Sequence, residues 1–250
     1  MFQPSNDFFS EDFTLETIEL DHIYRQKDDD FIQILNAVRN NSITPNHLAK
    51  LNARCDASFS NVRTNNQKKI IHLMTTNADA HRINTSELEK LQAKEKTFKA
   101  SSTGKLPTNI YPNDIKVTVK VGAQVMFIYN DPTRRWVNGT IGRVVDIVRA
   151  YSEEVDADED MLLVEKSDGS SVQVFPYTWN ISKYVFRDGN FERETIGSFR
   201  QITIKLAWAI TIHKSQGKTF DHVVIDLGRG AFAHGQTYVA LSRCTSLDGV

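Results

Sequence analysis

Between about residue 115 and residue 190 the sequence carries strand patterns and no helical one, whereas both flanks mix strands with helices. That change of periodicity constrains the fold more than any other feature of the chain. In the N-terminal flank, "DDDFIQILNAVRNN" sets Phe31, Ile34, Leu35 and Val38 at i, i+3, i+4 and i+7. This is one face of a helix, and its acidic first turn suits the helix dipole. Thr44-Pro45 opens a second helix, with a capping threonine and a proline at the first helical position. "LETIEL" (15–20) and "IIHLMT" (70–75) read as strands. "TNADAHRINTSELEKLQAKE" reads as a capped helix with Ala80, Ile83, Leu88 and Leu91 inward. Strand and helix alternating in this way argue for a parallel sheet with helical cover.

From Ser101, "SSTGKLPTNIYPND" is a linker by its Gly, Pro, Ser and Asn content. Four strand patterns follow: "VTVKVGAQVMFIY", "GRVVDIV", "MLLVE" and "VQVFPYTW". Turn signals stand among them at Asp131-Pro132, Asn138-Gly139 and Asp168-Gly169, and "EEVDADED" (153–160) reads as a solvated loop. Helical character returns at "IKLAWAITIHKSQG", with Gly217 where a C-cap glycine belongs. A strand, "HVVIDL", and a short helix, "GQTYVALSR", follow, and "SLDGV" looks like the start of another strand, as in a fragment of a longer chain. The fold class is therefore α/β with an inserted all-β module: residues 1–114 and 191–250 form the α/β domain, and residues 115–190 the insertion.

Net charge is −1, so any nucleic-acid contact must come from a local patch and not from a global basic field. Cys55 and Cys244 lie far apart and form no C-x-x-C pair, which argues against a disulfide framework or a zinc knuckle. No apolar run reaches the ~18 residues that span a bilayer. "MFQPSNDFFSEDF" is acidic and lacks a basic-then-apolar signal. The expectation is a reducing, cytoplasmic compartment with no membrane partner and no structural metal.

Gly217-Lys218-Thr219 has the tail of a phosphate-binding loop, G-x-x-x-x-G-K-[ST]. The first glycine of that loop would fall at Ile212, a β-branched residue that disfavours positive φ. The strand "VVIDL" begins only a few residues later, where such a loop needs a helix. An independent phosphate loop is excluded, and with it a self-sufficient nucleotide hydrolase.

"HIYRQKDDDFIQILNAVR", "AITIHKSQGKTFDHVVIDL" and "YVALSRCTSLDG", in that order, resemble superfamily 1 DNA helicases of the Pif-type and RecD-like branch. The last two, about twenty residues apart, carry most of the signal. The resemblance implies a RecA-like second motor domain with an inserted SH3-like barrel. It also implies that ATP and Mg2+ are bound mainly by a first motor domain of the same polypeptide, and that single-stranded DNA is the partner. Arg243 in "ALSRCTS" matches the family's arginine finger, and Arg25 in "YRQ" matches a second arginine reaching the same phosphate. A finger of this kind is worth roughly 10³–10⁵ in rate in related systems. From the residues alone, both could equally be surface arginines, with Asp28 to Asp30 near Arg25. Gln216, Gly217, Thr219 and Tyr238 are implied neighbours of the ATP site; Thr219 stands where UvrD-type relatives carry a ribose-contacting glutamate.

Thr211, His213, Lys214 and Ser215 offer hydroxyls, a lysine and backbone N–H groups of the kind that contact phosphodiesters. Thr76 and Asn77 stand at a strand end and a helix N-terminus, a natural anion site, although a plain helix cap explains them too. Arg135 and Trp136, in "DPTRRWVNG", fit single-strand binding by base stacking; equally, the tryptophan could pack its own module. Trp179 and Trp208 read as core. The rival from another class is a non-catalytic module that binds nucleic acid or peptide.

Overall fold

The computed structural model describes residues 23–55, 70–187 and 190–250; the strand read at 15–20 lies outside them. Helix α1 (Asp29–Arg39) begins where the Asp28 side chain accepts from Phe31 N, and it buries Phe31, Ile34 and Leu35. Helix α2 (Pro45–Asn52) starts at a capping box made by Thr44 and His47. Strand β1 (Ile71–Met74) leads into α3 (Asn77–Lys90), which Thr76 caps by accepting from Asp79 N. β1 is the middle strand of a parallel sheet, between β12 (Ala209–Thr211) and β13 (Val223–Asp226). α3 closes the β12 edge: the Asn84 amide donates to Ala209 O at 2.8 Å and accepts from Ala209 N at 2.9 Å. A polar side chain thereby occupies backbone groups that would otherwise offer an open edge. Helix α4 (Gln236–Leu241) packs on α1 through Leu241, Phe31 and Leu35.

The central region is antiparallel. β5 (Gln124–Phe127), β6 (Ile141–Ser152), β7 (Ala157–Lys166), β8 (Ser171–Val174) and β11 (Ile204–Leu206) form one sheet in the order β11-β5-β6-β7-β8. Among the described residues that sheet is open, with no pairing between β11 and β8. β2 (Lys96–Lys99) pairs with β4 (Lys116–Val119). A long hairpin of β9 (Pro176–Arg187) and β10 (Asn190–Ile202) carries β3 (Ser101–Gly104) on its inner half. One apolar core runs from Leu88 of α3 through Phe98, Val125, Phe127, Leu162 and Ile204 to Trp208, so the helix and the antiparallel sheet share an interior.

Several readings of the sequence are corrected. "IKLAWAITIHKSQG" is not a helix: it forms β11, β12 and a 3-10 turn at His213–Ser215. Short apolar runs buried on both faces carry no periodicity that separates strand from helix. Gly217 does hold a positive φ of 75°, but it follows that tight turn and caps no helix. The linker read from Ser101 contains β3, whose small polar residues pair with Gly197–Arg200, and Asn113 ties its far end to Ile202 O and Ile204 O. The loop at 153–160 shrinks, because β7 already begins at Ala157 and Glu159 pairs with Arg200. Residues Leu247–Gly249 form a 3-10 turn and not the start of a strand. Trp208 is buried as read, but Trp179 is only half-buried, edge-on to Tyr129 and Tyr177.

Candidate functional site

Ligand-binding loops of open parallel sheets gather at the carboxyl ends of the strands. Here β1 runs out at Thr75–Asn77, and β12 into the His213–Ser215 turn and Gly217. Beside them lie the segment carrying Arg25 and the end of α4, followed by Arg243.

Arg243 is buried, 7% exposed, in a cage of neutral oxygens. Its Nε donates to Val239 O at 2.8 Å, Nη1 to Ser215 O and Lys218 O at 3.3 Å each, and Nη2 to the Ser242 hydroxyl at 2.7 Å. A guanidinium has five N–H donors, so one on Nη2 has no acceptor among the described residues. Arg25 stands next to it, donating from Nε to Thr219 Oγ1 at 2.9 Å and from Nη1 to Ser242 O at 3.0 Å. Among the described residues neither arginine makes an ion pair. Burial, and then the Arg25 charge, pull Arg243 below the usual guanidinium range. The surroundings fix both side chains without cancelling their charge, the condition for receiving an anion. Tyr238 is half-buried against Arg243, while Gln216 and Thr219 are exposed.

Lys214 and Asn77 meet across the strand ends, Lys214 Nζ donating to Asn77 Oδ1 at 3.2 Å. They border a polar groove of about 800 Å³ between α3 and the antiparallel region, also lined by Asn84, Thr211, Lys116 and Lys205. Burial, and then the Lys205 charge, lower the Lys214 pKa. Glu89, Glu95 and Asp114 line the groove as well, and Lys205 pairs with Asp114 at 3.3 Å, so charges of both signs face it. Thr76 is exposed, but its hydroxyl already caps α3 and donates to Asp79 at 2.6 Å. Thr211 is buried and accepts from Lys214 N at 3.4 Å, and His213 is exposed near Phe232. Ser215 is a correction. It is fully buried, its hydroxyl is bound to Ile212 O at 2.6 Å, and its carbonyl serves Arg243. It shapes the turn, and its hydroxyl is turned into the interior.

Trp136 is also a correction. Its ring is buried, stacked on Phe127 at 4.5 Å and covered by the Arg135 guanidinium at 4.6 Å, which leaves no face for a base. Arg135 is bound to Asp131 at 2.6 Å, so its charge is neutralised. Asp131 organises this loop, accepting also from Thr133 N, Thr133 Oγ1 and Arg135 N. The Arg135 hydrogen bonds hold its carboxyl far below the usual range, outweighing burial. A depressed folded pKa means that the stabilisation is complete above the unfolded value of about 4 and is lost as pH falls toward the folded one. Asp131→Asn is therefore expected to cost about 1–3 kcal/mol at pH 7. Urea unfolding should show the gap to the parent narrowing below about pH 4.

Three contacts escaped the sequence reading. Gln26 is buried and donates to Ser242 O and Cys244 O, at 3.1 and 2.8 Å, pinning the Arg25 segment to the turn that carries Arg243. Its adjacency to Arg25 in "YRQ" is the only hint in the sequence. Thr219 orients Arg25. Lys218 donates to Asn138 Oδ1 at 3.1 Å while its carbonyl holds Arg243.

No family model matches the chain. It is similar to the ATP-dependent DNA helicase Pif1 of Bdellovibrio bacteriovorus, at 33% identity over 241 residues covering 94% of this chain and 49% of that protein. An unliganded Pif1 from Bacteroides sp. superimposes with a TM-score of 0.75 at 34% identity, covering 91% of this chain and 50% of that one. The chain belongs to the Pif1 family of superfamily 1 DNA helicases. It spans about half the length of the relatives it matches. A Pif1 helicase from Bacteroides in complex with ADP-AlF3 and ssDNA is similar as well, with a TM-score of 0.68 at 34% identity over 93% of this chain and 50% of that one. Among the described residues of this Pif1-family chain, no helix is long and apolar enough to cross a membrane, and no group of three or more His, Cys, Asp or Glu is placed to hold a metal ion.

Proposed function

We propose that the chain is the second, RecA-like motor domain of an ATP-dependent DNA helicase, with residues 115–190 as an inserted SH3-like module and residues 1–114 and 191–250 as the motor domain. In this reading a first motor domain of the same polypeptide binds ATP and Mg2+, and this chain supplies Arg25 and Arg243 to the phosphates. The observation that carries it is the pair of adjacent guanidiniums positioned by neutral oxygens and, among the described residues, left without a carboxylate. Such a pair fits a γ-phosphoryl group. Charge stabilisation there grows toward the transition state, so it accelerates hydrolysis more than it tightens binding. The DNA strand runs through the groove of Asn77, Lys214 and Lys205, where Lys214, held by the Asn77 amide and by no carboxylate among the described residues, offers its charge to a phosphate. Gln216, Thr219 and Tyr238 border the nucleotide, with Thr219 acting through Arg25.

Single-strand binding tests the DNA part. Lys214→Ala is expected to weaken affinity roughly threefold to tenfold and to lower the salt slope by about 0.7, the contribution of one phosphate contact. Thr76→Ala weakens binding chiefly by uncapping α3. Unchanged affinity and slope for Lys214→Ala would remove the groove from the DNA path.

A further inference from the structure

The β9–β10 hairpin ends in a surface that the proposed motor function leaves unused. β3 flanks it only as far as Gly197; beyond that point no third strand covers it among the described residues. In this outer part Tyr184 faces Arg193 and Phe186 faces Phe191 across the strands. Residues two apart share a face, so these four side chains form one face. Tyr184, Phe186 and Phe191 are 73%, 63% and 75% exposed, and the two phenylalanine rings lie 5.0 Å apart. Lys183, Val185, Arg187, Glu192 and Glu194 form the opposite face. There Arg187 pairs with Glu194 at 3.0 Å and Glu192 at 4.0 Å. Both glutamates thus stand away from the rings. The aromatic face carries a single charge, the exposed Arg193, which has no ion pair among the described residues.

We propose that the outer face formed by Tyr184, Phe186, Phe191 and Arg193 is a stacking platform for unpaired nucleobases of a single strand. A ring presents a π surface that any base can cover, and an uncompensated arginine on the same face meets the phosphate between bases. A face with three rings, one cation, no carboxylate and no aliphatic side chain matches this polymer in both shape and charge. The inference rests on the nucleic-acid reading above, but it places a second contact outside the α3 groove.

The test is fluorescence anisotropy of the 250-residue chain with a labelled oligothymidine and with an abasic strand of equal length. Phe186→Leu/Phe191→Leu keeps apolar area and removes both aromatic faces. It is expected to weaken oligothymidine binding about tenfold or more with the salt slope unchanged, and to leave abasic binding unchanged. Arg193→Ala should weaken binding to both strands. Unchanged oligothymidine affinity in the double variant, while Lys214→Ala still weakens binding, would overturn the platform and spare the groove. Leucines that preserve binding where alanines abolish it would overturn stacking in favour of plain apolar docking. A parent chain that self-associates through this face in sedimentation velocity, with DNA affinity indifferent to the tip, would assign it to a second copy. A parent chain with no single-strand affinity would overturn both the platform and the DNA reading beneath it.

Discussion

Arg243→Ala, in the protein that joins this chain to its first motor domain, is expected to cut ATP turnover roughly 10³- to 10⁵-fold. ATP binding should survive, because ground-state contacts come chiefly from the other domain, and single-strand affinity without nucleotide should barely change. The substitution also takes a donor from three carbonyls, of Val239, Ser215 and Lys218, the first two of which keep the Ser242 hydroxyl and Lys218 N. A melting curve must therefore accompany the kinetics. Arg243→Lys separates the two effects: it keeps the charge but loses the planar fork that spans these acceptors and a phosphate together. Poor rescue of turnover by lysine, in a protein that melts near the parent, is the expected pattern. Near-normal turnover in the alanine variant would move Arg243 out of the ATP site.

Phe31→Ala is expected to cost about 3–5 kcal/mol in urea unfolding, the range for truncating a buried phenylalanine. Phe31 is 0% exposed and joins Leu35 and Leu241 at the contact between α1 and α4. That contact brings the segment of Arg25 against the chain that continues into Arg243, and Gln26 then fixes the register. Loosening it should lower turnover in the joined protein as well as stability. A loss below about 1 kcal/mol would mean that α1 is not docked where the structure has it.

The sequence made α1, α2, α3, β1 and β13 legible because each has a periodic face, a cap or a bounded apolar run, as with Thr44-Pro45 and Thr76. It hid β12 and β11, since strands of three residues are too short to show an alternation, and β12 is buried throughout. It hid β3 because Ser and Thr on an edge look like a linker until a long hairpin pairs with them. At the site, the resemblance to the helicases singled out Arg25 and Arg243, and the chemistry of the turn singled out Lys214; the structure brings the two arginines together and sets Lys214 against Asn77. What spacing could not convey is commitment: Ser215 and Trp136 have the right chemistry for DNA, but their polar groups or faces are turned into the interior. Gln26 was invisible for the opposite reason, being an unremarkable amide whose role depends on carbonyls more than two hundred residues away.

The central claim is that this chain completes a nucleotide site and does not contain one. The most direct test is ATP turnover by the purified 250-residue chain with Mg2+ and saturating single-stranded DNA. No G-x-x-x-x-G-K-[ST] loop occurs anywhere in its sequence, so phosphate release should not exceed the protein-free blank, with or without DNA. Robust, DNA-stimulated turnover that persists through purification and is abolished by Arg243→Ala would contradict the account, because the fingers would then be acting on a site within this chain.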